Sequence, residues 1–405
     1  MNAPVPVSIF ATVELAPKDP ILGVTEIYVA DQNPNKVNLG VGVYYDDQGR
    51  VPLLDCVRQA EEQLLKQGSP KTYLPIDGIA AYDRAVQGLL LGTDSPVIAA
   101  RRAITVQALG GTGGLKLGAD FLRKFGNSDE VWISDPSWEN HRALFEYAGF
   151  TVKNYPYYDA ATHGVNFTGM VQALEGLAPG SVVVLHACCH NPTGVDLSHD
   201  QWTRVLEVVK SRNLVPFLDI AYQGFGDGID DDGEVVRRFA AADIPMLISS
   251  SFSKSFSLYG ERIGALTMVA SSADEAARVL SQLKRVIRTN YSNPPTHGGQ
   301  AVAITLTTPA LRAVWEKELA QMRVRIKEMR RALVDKLKAR VPARNFDFVL
   351  AQRGMFSYSG LTKEQVTRLR EEFSVYAIDT GRICVAALNT KNVDYVADSI
   401  AKVIA

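Results

Sequence analysis

Five groups of residues in this chain are of types able to do chemistry, and four of them sit where an apolar run ends. The first is Ser251-Phe-Ser-Lys254, directly after Met246–Ile248. Apolar surroundings disfavour an ammonium ion, so such a lysine is suited to attack a carbonyl as a free amine and form a Schiff base. Read alone, the tetrapeptide is more simply a surface lysine in a loop. It also matches a Ser-x-x-Lys nucleophile motif with Ser251 attacking, but the companion Ser-Asp-Asn and Lys-Thr-Gly are absent. The second stretch, Val215-Pro-Phe-Leu-Asp219-Ile-Ala-Tyr222, ends on a carboxylate that could cap a helix, bind a metal or pair with a ligand cation.

The third, Val182-Val-Val-Leu-His186-Ala-Cys188-Cys-His190-Asn191-Pro-Thr-Gly194, raises zinc, because alternation along a strand lets His186 and His190 share a face with Cys188 between them. No second cluster completes four ligands, so no metal is expected, and the Asn-Pro-Thr-Gly turn that aims Asn191 is the more informative feature. The fourth, Leu109-Gly-Gly-Thr-Gly-Gly114, lets backbone N–H groups approach an anion at a helix start. A dinucleotide reading shares Gly111-x-Gly113 and has Asp135 ending the next strand, yet Lys116 stands where GxGxxG needs its third glycine. A monophosphate is simpler. The fifth is a pair of arginines beside glycines, Tyr259-Gly-Glu-Arg262-Ile-Gly264 and Thr380-Gly-Arg382-Ile, placed for anion recognition or for structural ion pairs.

The elements that must position these residues alternate. Strands are predicted at Ile104–Leu109, Val131–Ser134, Thr151–Tyr155, Val182–His186, Val215–Asp219, Leu247–Ser251 and Ile263–Val269. Helices such as Gly113–Lys124, His141–Ala148 and Asp200–Arg212 fall between them. This is the pattern of an α/β fold, a doubly wound, mostly parallel sheet that takes ligands at the carboxyl ends of its strands. From Ala310 to about Arg340 one long amphipathic helix is predicted, with Lys327, Glu328, Arg330 and Arg331 as its solvated face. The remainder, with Phe356–Ser359, Lys363–Phe373 and Ile383–Ala386, predicts a smaller α+β domain completed by the N-terminal segment.

A length of 405 residues exceeds one core and suits two domains. With a net charge of −1, nothing draws the chain to nucleic acid or an anionic membrane, which leaves small molecules as ligands. No apolar run is long enough to span a bilayer. Met1 to Asp19 has neither a secretory pattern nor an arginine, and Cys56, Cys188, Cys189 and Cys384 form no CxxC, so a cytoplasmic setting is expected.

Taken in order, Gly-Gly-Thr-Gly, Asp135-Pro-Ser-Trp138-Glu-Asn-His141, His190-Asn-Pro-Thr-Gly, Asp219-Ile-Ala-Tyr222-Gln-Gly-Phe-Gly226, Ser251-Phe-Ser-Lys254 and Arg288-Thr-Asn-Tyr-Ser-Asn-Pro-Pro295 resemble the aspartate and aromatic amino-acid aminotransferases of fold type I. The resemblance runs from Asp19-Pro-Ile-Leu-Gly23 through the C-terminal region. It implies an N-terminal segment over 1–47, a large domain over 48–315 that binds pyridoxal 5'-phosphate, and a small domain over 316–405 linked by the long helix.

The resemblance also implies roles. Lys254 is the Schiff-base lysine and proton carrier, and Asp219 the partner of the cofactor's ring nitrogen. Tyr222 and Asn191 bond the 3'-oxygen. Ser251, Ser253, Arg262, Gly111 and Thr112 hold the phosphate. Trp138 stacks on the ring, while His141 and His186 orient Asp219 from behind. Arg382, with Asn191, Gly42 and Trp138, receives the substrate. A homodimer with shared sites is implied, in which Tyr73 reaches the other subunit's phosphate and Arg288 a side-chain carboxylate.

The implied reaction moves an amino group from tyrosine, phenylalanine or aspartate to 2-oxoglutarate in two halves. A dedicated aspartate aminotransferase is the alternative, and a cofactor-free binding protein on the same fold a remote one. Tyr45 and Val51, expected at the entrance, favour aromatic donors. Val43, Thr112 and Asn293 look aspartate-like, and Thr72 fits neither.

Overall fold

Runs of β-branched and other apolar residues broken by polar, helix-forming segments assemble into one seven-stranded sheet. The structure, a computed structural model, describes residues 8–16 and 21–404; Asp19-Pro20, where the resemblance begins, lies outside the described residues, as does most of the stretch read for a signal sequence. The strands are β1 (Ala103–Leu109), β2 (Glu130–Asp135), β3 (Thr151–Pro156), β4 (Val182–His186), β5 (Val215–Ile220), β6 (Met246–Ser251) and β7 (Ile263–Val269), and each contains one of the seven predicted runs. Their spatial order is β1-β7-β6-β5-β4-β2-β3. All neighbours are parallel except β7, which runs antiparallel to both β1 and β6. Every residue of β4, β6 and β7 is buried, as expected of strands covered on both faces.

The reversed strand matters for the site. Gly264 lies opposite Ser251, and Ile263 opposite Leu109. The start of β7 therefore meets the carboxyl ends of β6 and β1, which brings Arg262 beside Ser251 and Gly110. The Gly110 N–H donates to the Arg262 carbonyl at 2.9 Å.

Helix α1 (Gly110–Phe125) begins three residues before its predicted start, so the glycines form its first turn instead of a loop before it. Close packing accounts for this. A Cβ on Gly114 would stand 2.7 Å from the Ala265 carbonyl oxygen, and one on Gly118 2.4 Å from the Phe217 ring. Glycine's poor helix propensity is the weaker effect here. Helix α2 (Glu139–Tyr147) follows β2, and α3 (His199–Ser211) opens with a Ser198–Gln201 capping box. Helix α4 (Ala273–Asn290) follows β7, and α5 (Pro309–Arg340) is the predicted long helix, 32 residues from its Pro-bearing start.

Along α5 the apolar stripe Leu311, Trp315, Leu319, Met322, Ile326, Met329, Leu333 and Leu337 is buried. One expectation fails: Arg330, assigned to the solvated face, is only 3% exposed. Its position, four residues after Ile326 and three before Leu333, lies within the buried stripe.

Beyond α5 lies a smaller α+β layer. Phe356–Tyr358 pairs antiparallel with Arg382–Cys384, and Val375–Tyr376 pairs in parallel with Val37–Asn38 from the N-terminal segment. The Cys384 N–H also bonds the Leu39 carbonyl, at 2.8 Å. Arg382 is thereby held between this layer and the mouth of the sheet. No helix among the described residues is long and apolar enough to cross a membrane.

Candidate active site

The carboxyl ends of the parallel strands and the smaller layer enclose a cavity of about 780 Å³. Gly42, Gly111, Thr112, Trp138, His186, Asn191, Asp219, Tyr222, Ser251, Ser253, Lys254, Arg262 and Arg382 all line it.

Lys254 follows β6 and is half-buried, with its Nζ 5.2 Å from the centre of the Tyr222 ring. Burial pulls its pKa down to about 8, against the opposing pull of Asp219 and with the help of Arg262. At neutral pH roughly a tenth of this amine is free, against well under about a thousandth for an ordinary lysine, which suits attack on a carbonyl. Burial pushes the Tyr222 phenol up, an effect that Arg382 partly offsets.

Asp219 sits near the end of β5, opposite His186 in the register. Burial alone would raise its carboxyl. The His141 hydrogen bond, with His141, His186 and Lys254 as neighbours, outweighs that and holds it below the ordinary carboxylate value. His141 Nε2 lies 2.9 Å from Asp219 Oδ2, and His141 Nδ1 lies 2.9 Å from Ser137 Oγ. Ser137 Oγ is in turn 3.3 Å from His186 Nε2, whose Nδ1 accepts the Asn191 N–H at 3.4 Å. Burial and the neighbouring His141 lower His186 to about 3, so its ring is neutral at pH 7.

One direction of donation satisfies every member: Asn191 N–H to His186, His186 to Ser137, Ser137 to His141, and His141 to an ionised Asp219. The carboxylate is thus aimed into the cavity through one oxygen while the other is tied down. A cation above β5, such as a protonated ring nitrogen, is what this arrangement favours.

Across the cavity, Ser251, Ser253, Arg262 and the start of α1 form a cradle. Arg262 Nη1 donates to Ser253 Oγ at 3.3 Å and to the Tyr259 carbonyl at 3.0 Å. No side chain caps α1; the Gly110 N–H is taken by the Arg262 carbonyl, which leaves the N–H groups of Gly111 and Thr112 for an anion. A Cβ on Gly110 would stand 2.4 Å from Arg262 Nη2, so only glycine admits the arginine there. Hydroxyls, a guanidinium and uncapped N–H groups converging on one point match a phosphate monoester.

The third wall is Arg382, 1% exposed. Its Nη1 donates to Asn191 Oδ1 at 3.1 Å and its Nη2 to the Gly40 carbonyl at 2.7 Å, while Nε has no partner within the protein. The guanidinium lies over the Phe356 ring, 4.4 Å from its centre. A Cβ on Gly42 would come within 2.6 Å of that ring, so Gly42 keeps room for Phe356. A buried, aromatic-backed guanidinium with donor capacity to spare is suited to receive a carboxylate.

Two predicted site residues do not face this cavity. Tyr73 is 91% exposed, and Arg288 is exposed near the end of α4, bonded to the Ser292 hydroxyl. Of the specificity residues, Val43 lines the cavity. Tyr45 lines a separate space of about 440 Å³ with Tyr28, Lys36 and Asn389, and Val51 is exposed outside both, so neither stands at the entrance within one chain.

The zinc alternative meets occupied nitrogens. His190 is bonded to Ser134 and Thr193 hydroxyls at 2.9 and 2.8 Å, and both His186 nitrogens are engaged as above. Cys188 instead gathers with Cys189 and Asp232, whose carboxylate accepts the N–H groups of Gly224, Gly226 and Asp227. Sequence reasoning missed Ser137, the Gly40 carbonyl and Phe356. Ser137 stood within a quoted motif and could have been found as the one hydroxyl between Asp135 and His141; nothing local marked the other two.

Residues 34–400 match the family model described as aminotransferase class I and II. The chain is 60% identical to the aspartate aminotransferase of Pseudomonas aeruginosa over 397 residues, 98% of this chain and 100% of that one. It is 51% identical to the aromatic-amino-acid aminotransferase of Escherichia coli over 395 residues, 97% of this chain and 100% of that one. The crystal structure of an aromatic-amino-acid aminotransferase from Burkholderia pseudomallei, covalently bound to pyridoxal phosphate, superposes with a TM-score of 0.96 at 66% identity, covering 98% of this chain and 100% of that one. The protein belongs to the class I and II aminotransferase family.

Proposed function

We propose that the protein is a pyridoxal-phosphate-dependent aminotransferase that moves the amino group of aromatic amino acids and of aspartate to 2-oxoglutarate. The observation that carries this reading is the half-buried Lys254 beside Asp219 and Tyr222, in a cavity with a phosphate cradle at one end and Arg382 at the other. When bound, pyridoxal phosphate supplies an aldehyde that condenses with amines and a ring that takes up electrons released at the substrate's Cα.

The chain's own residues do the rest. Ser251, Ser253, Arg262, Gly111 and Thr112 hold the phosphate, and Trp138 covers the ring. Asp219, kept ionised and aimed by His141, Ser137 and His186, stabilises positive charge on the ring nitrogen. Tyr222 and Asn191 serve the ring's 3'-oxygen. Arg382 anchors the α-carboxylate and so orients the Cα proton toward Lys254, whose Nζ, with a pKa of about 8, can take a proton and give it back near neutral pH. The Tyr44 N–H donates to the Tyr259 hydroxyl at 2.9 Å, which ties the N-terminal segment across the mouth and limits water.

Breadth toward aromatic donors rests on the lining, where Val41, Val43, Leu115, Trp138 and Phe356 offer apolar surface worth roughly 25 cal/mol per Å² buried. A relative named for aspartate and one named for aromatic amino acids match 98% and 97% of the chain. A homodimer with shared sites is part of the proposal. The exposure of Tyr73, Ile9, Phe10, Val13 and Leu15 supports it, because apolar side chains so placed gain from a partner surface. A cytoplasmic setting fits four cysteines that are all unpaired.

The test is kcat/KM for phenylalanine, tyrosine and aspartate with 2-oxoglutarate as acceptor. Comparable values are expected. If aspartate leads both aromatics by about a hundredfold, or ~2.7 kcal/mol, the enzyme is a dedicated aspartate aminotransferase. A purified protein that takes up no cofactor and turns over none of the three sinks the reading altogether.

A further inference from the structure

Arg330 is the one charge on α5 that the structure draws inside. Burying a guanidinium is costly unless its donors are satisfied, and among the described residues no carboxylate pairs with it. Its donors all go to one short segment. Nη2 donates to the Gly354 carbonyl at 2.6 Å and to the Phe356 carbonyl at 3.1 Å, and Nε donates to Ser357 Oγ at 3.3 Å.

That segment carries the ring on which Arg382 rests. Phe356 lies edge-on to Tyr222, with centres 5.8 Å apart, and its neighbour Tyr358 is paired with Arg382 in the antiparallel register. The segment is also tied to the turn that holds Asn191, through the Arg353 N–H and the Gly194 carbonyl at 2.7 Å. Asn191 in turn accepts from Arg382. One helical turn earlier on α5, Lys327 pairs with Asp227 at 3.1 Å, and two turns earlier Arg323 donates to the Gly224 carbonyl at 2.8 Å. The 323, 327, 330 spacing puts these cations on one face, which braces the loop after Tyr222 and the strand beneath Arg382 together.

We propose that Arg330 is a positioning residue for substrate: it pins Gly354–Ser357 so that Phe356 backs the Arg382 guanidinium in the orientation that receives the α-carboxylate. This rests on the reading of Arg382 as the carboxylate receptor. A buried cation with no anion, whose every hydrogen bond serves this segment, has no comparable account as a stability device, since an apolar side chain would fill the same volume without the desolvation cost.

The test uses the full-length holoenzyme and 3-phenylpropionate, an unreactive aromatic carboxylate, titrated by calorimetry. Four single variants, Arg330→Met, Arg330→Lys, Phe356→Leu and Arg382→Leu, and the double Arg330→Met/Phe356→Leu are compared with wild type. The expected result for Arg330→Met is about tenfold or more weaker binding, with KM raised more than kcat is lowered and cofactor retention unchanged. Arg330→Lys rescues little, because a point charge cannot hold two carbonyls and a hydroxyl at once. The double variant should bind about as weakly as the weaker single, the signature of two residues acting through one contact. Wild-type affinity in Arg330→Met overturns the proposal, as do losses that simply add in the double variant. If Arg330→Met does not fold, wild-type affinity in Arg330→Lys overturns it instead. Binding that survives Arg382→Leu overturns the carboxylate receptor and this inference with it. Binding lost in Arg382→Leu but intact in Arg330→Met overturns the inference alone.

Discussion

Lys254→Met in the cofactor-free protein should make the fold more stable while abolishing transamination. The half-buried lysine titrates at about 8 instead of 10.5, and the difference corresponds to about 3 kcal/mol in favour of the free amine. The folded protein binds this proton less tightly than the unfolded chain, so its stability rises with pH between those two values. Below about pH 8 the full penalty of ~3 kcal/mol is present, near pH 9 roughly half is left, and above the unfolded value it is gone. Methionine fills a similar volume without a proton to bind. Its stabilising effect should therefore approach 3 kcal/mol at pH 7 and fall to nearly zero by about pH 10.5. Urea unfolding of cofactor-free wild type and variant, at one protein concentration and a series of pH values, measures this. A stability difference that is flat across pH 7 to about 10.5 would refute the half-buried, depressed amine, and with it the physical basis for Lys254 as the carbonyl-binding lysine.

Asp219→Asn keeps the shape of the ring contact and removes its charge, so kcat for phenylalanine and aspartate should fall together by two to three orders of magnitude, roughly 3–4 kcal/mol; an unchanged kcat makes Asp219 structural. Arg288→Ala should cost aspartate about 2–5 kcal/mol in kcat/KM through the lost carboxylate pair and leave phenylalanine nearly unaffected. Equal losses for the two substrates would falsify the assignment of Arg288.

The legible parts of the molecule are those governed by local pattern. All seven strand runs were visible because β-branched clusters bounded by turn residues carry their own signal. The residues at the strand ends followed from them, since a sheet of this class gathers its carboxyl ends at one edge. The direction of β7 was not visible, because a buried strand reads the same both ways; yet that reversal is what brings Arg262 to Ser251. The glycines of α1 read as a loop because their reason for being helical is tertiary: the distance to Ala265 and Phe217. Arg330 was misread on the same ground. Charge is a good predictor of exposure, but nothing near Arg330 in sequence shows the carbonyls of Gly354 and Phe356 waiting for it. Ser137 shows the intermediate case, a residue whose motif was visible and whose role as the bridge between two imidazoles needed coordinates.

How one cavity serves both aromatic and dicarboxylic substrates follows from what a single chain supplies. The cations lining the cavity among the described residues are Lys254, Arg262 and Arg382. In the proposed reading each is committed: Lys254 to the reacting carbonyl, Arg262 to the phosphate, and Arg382 to the α-carboxylate. None is left for a second carboxylate. The walls where a side chain would lie are Val41, Val43, Leu115 and Trp138, which suit an aromatic ring as they stand. Arg288, exposed on α4 and held by the Ser292 hydroxyl alone, is free to serve a neighbouring cavity in a dimer. A surface arginine loses little when it turns away from an aromatic substrate, because that substrate offers it no side-chain carboxylate and water resolvates its charge. In the proposed dimer, the aromatic site would then be intrinsic to each subunit, and dicarboxylate binding a contribution of the partner that an apolar substrate can displace at small cost.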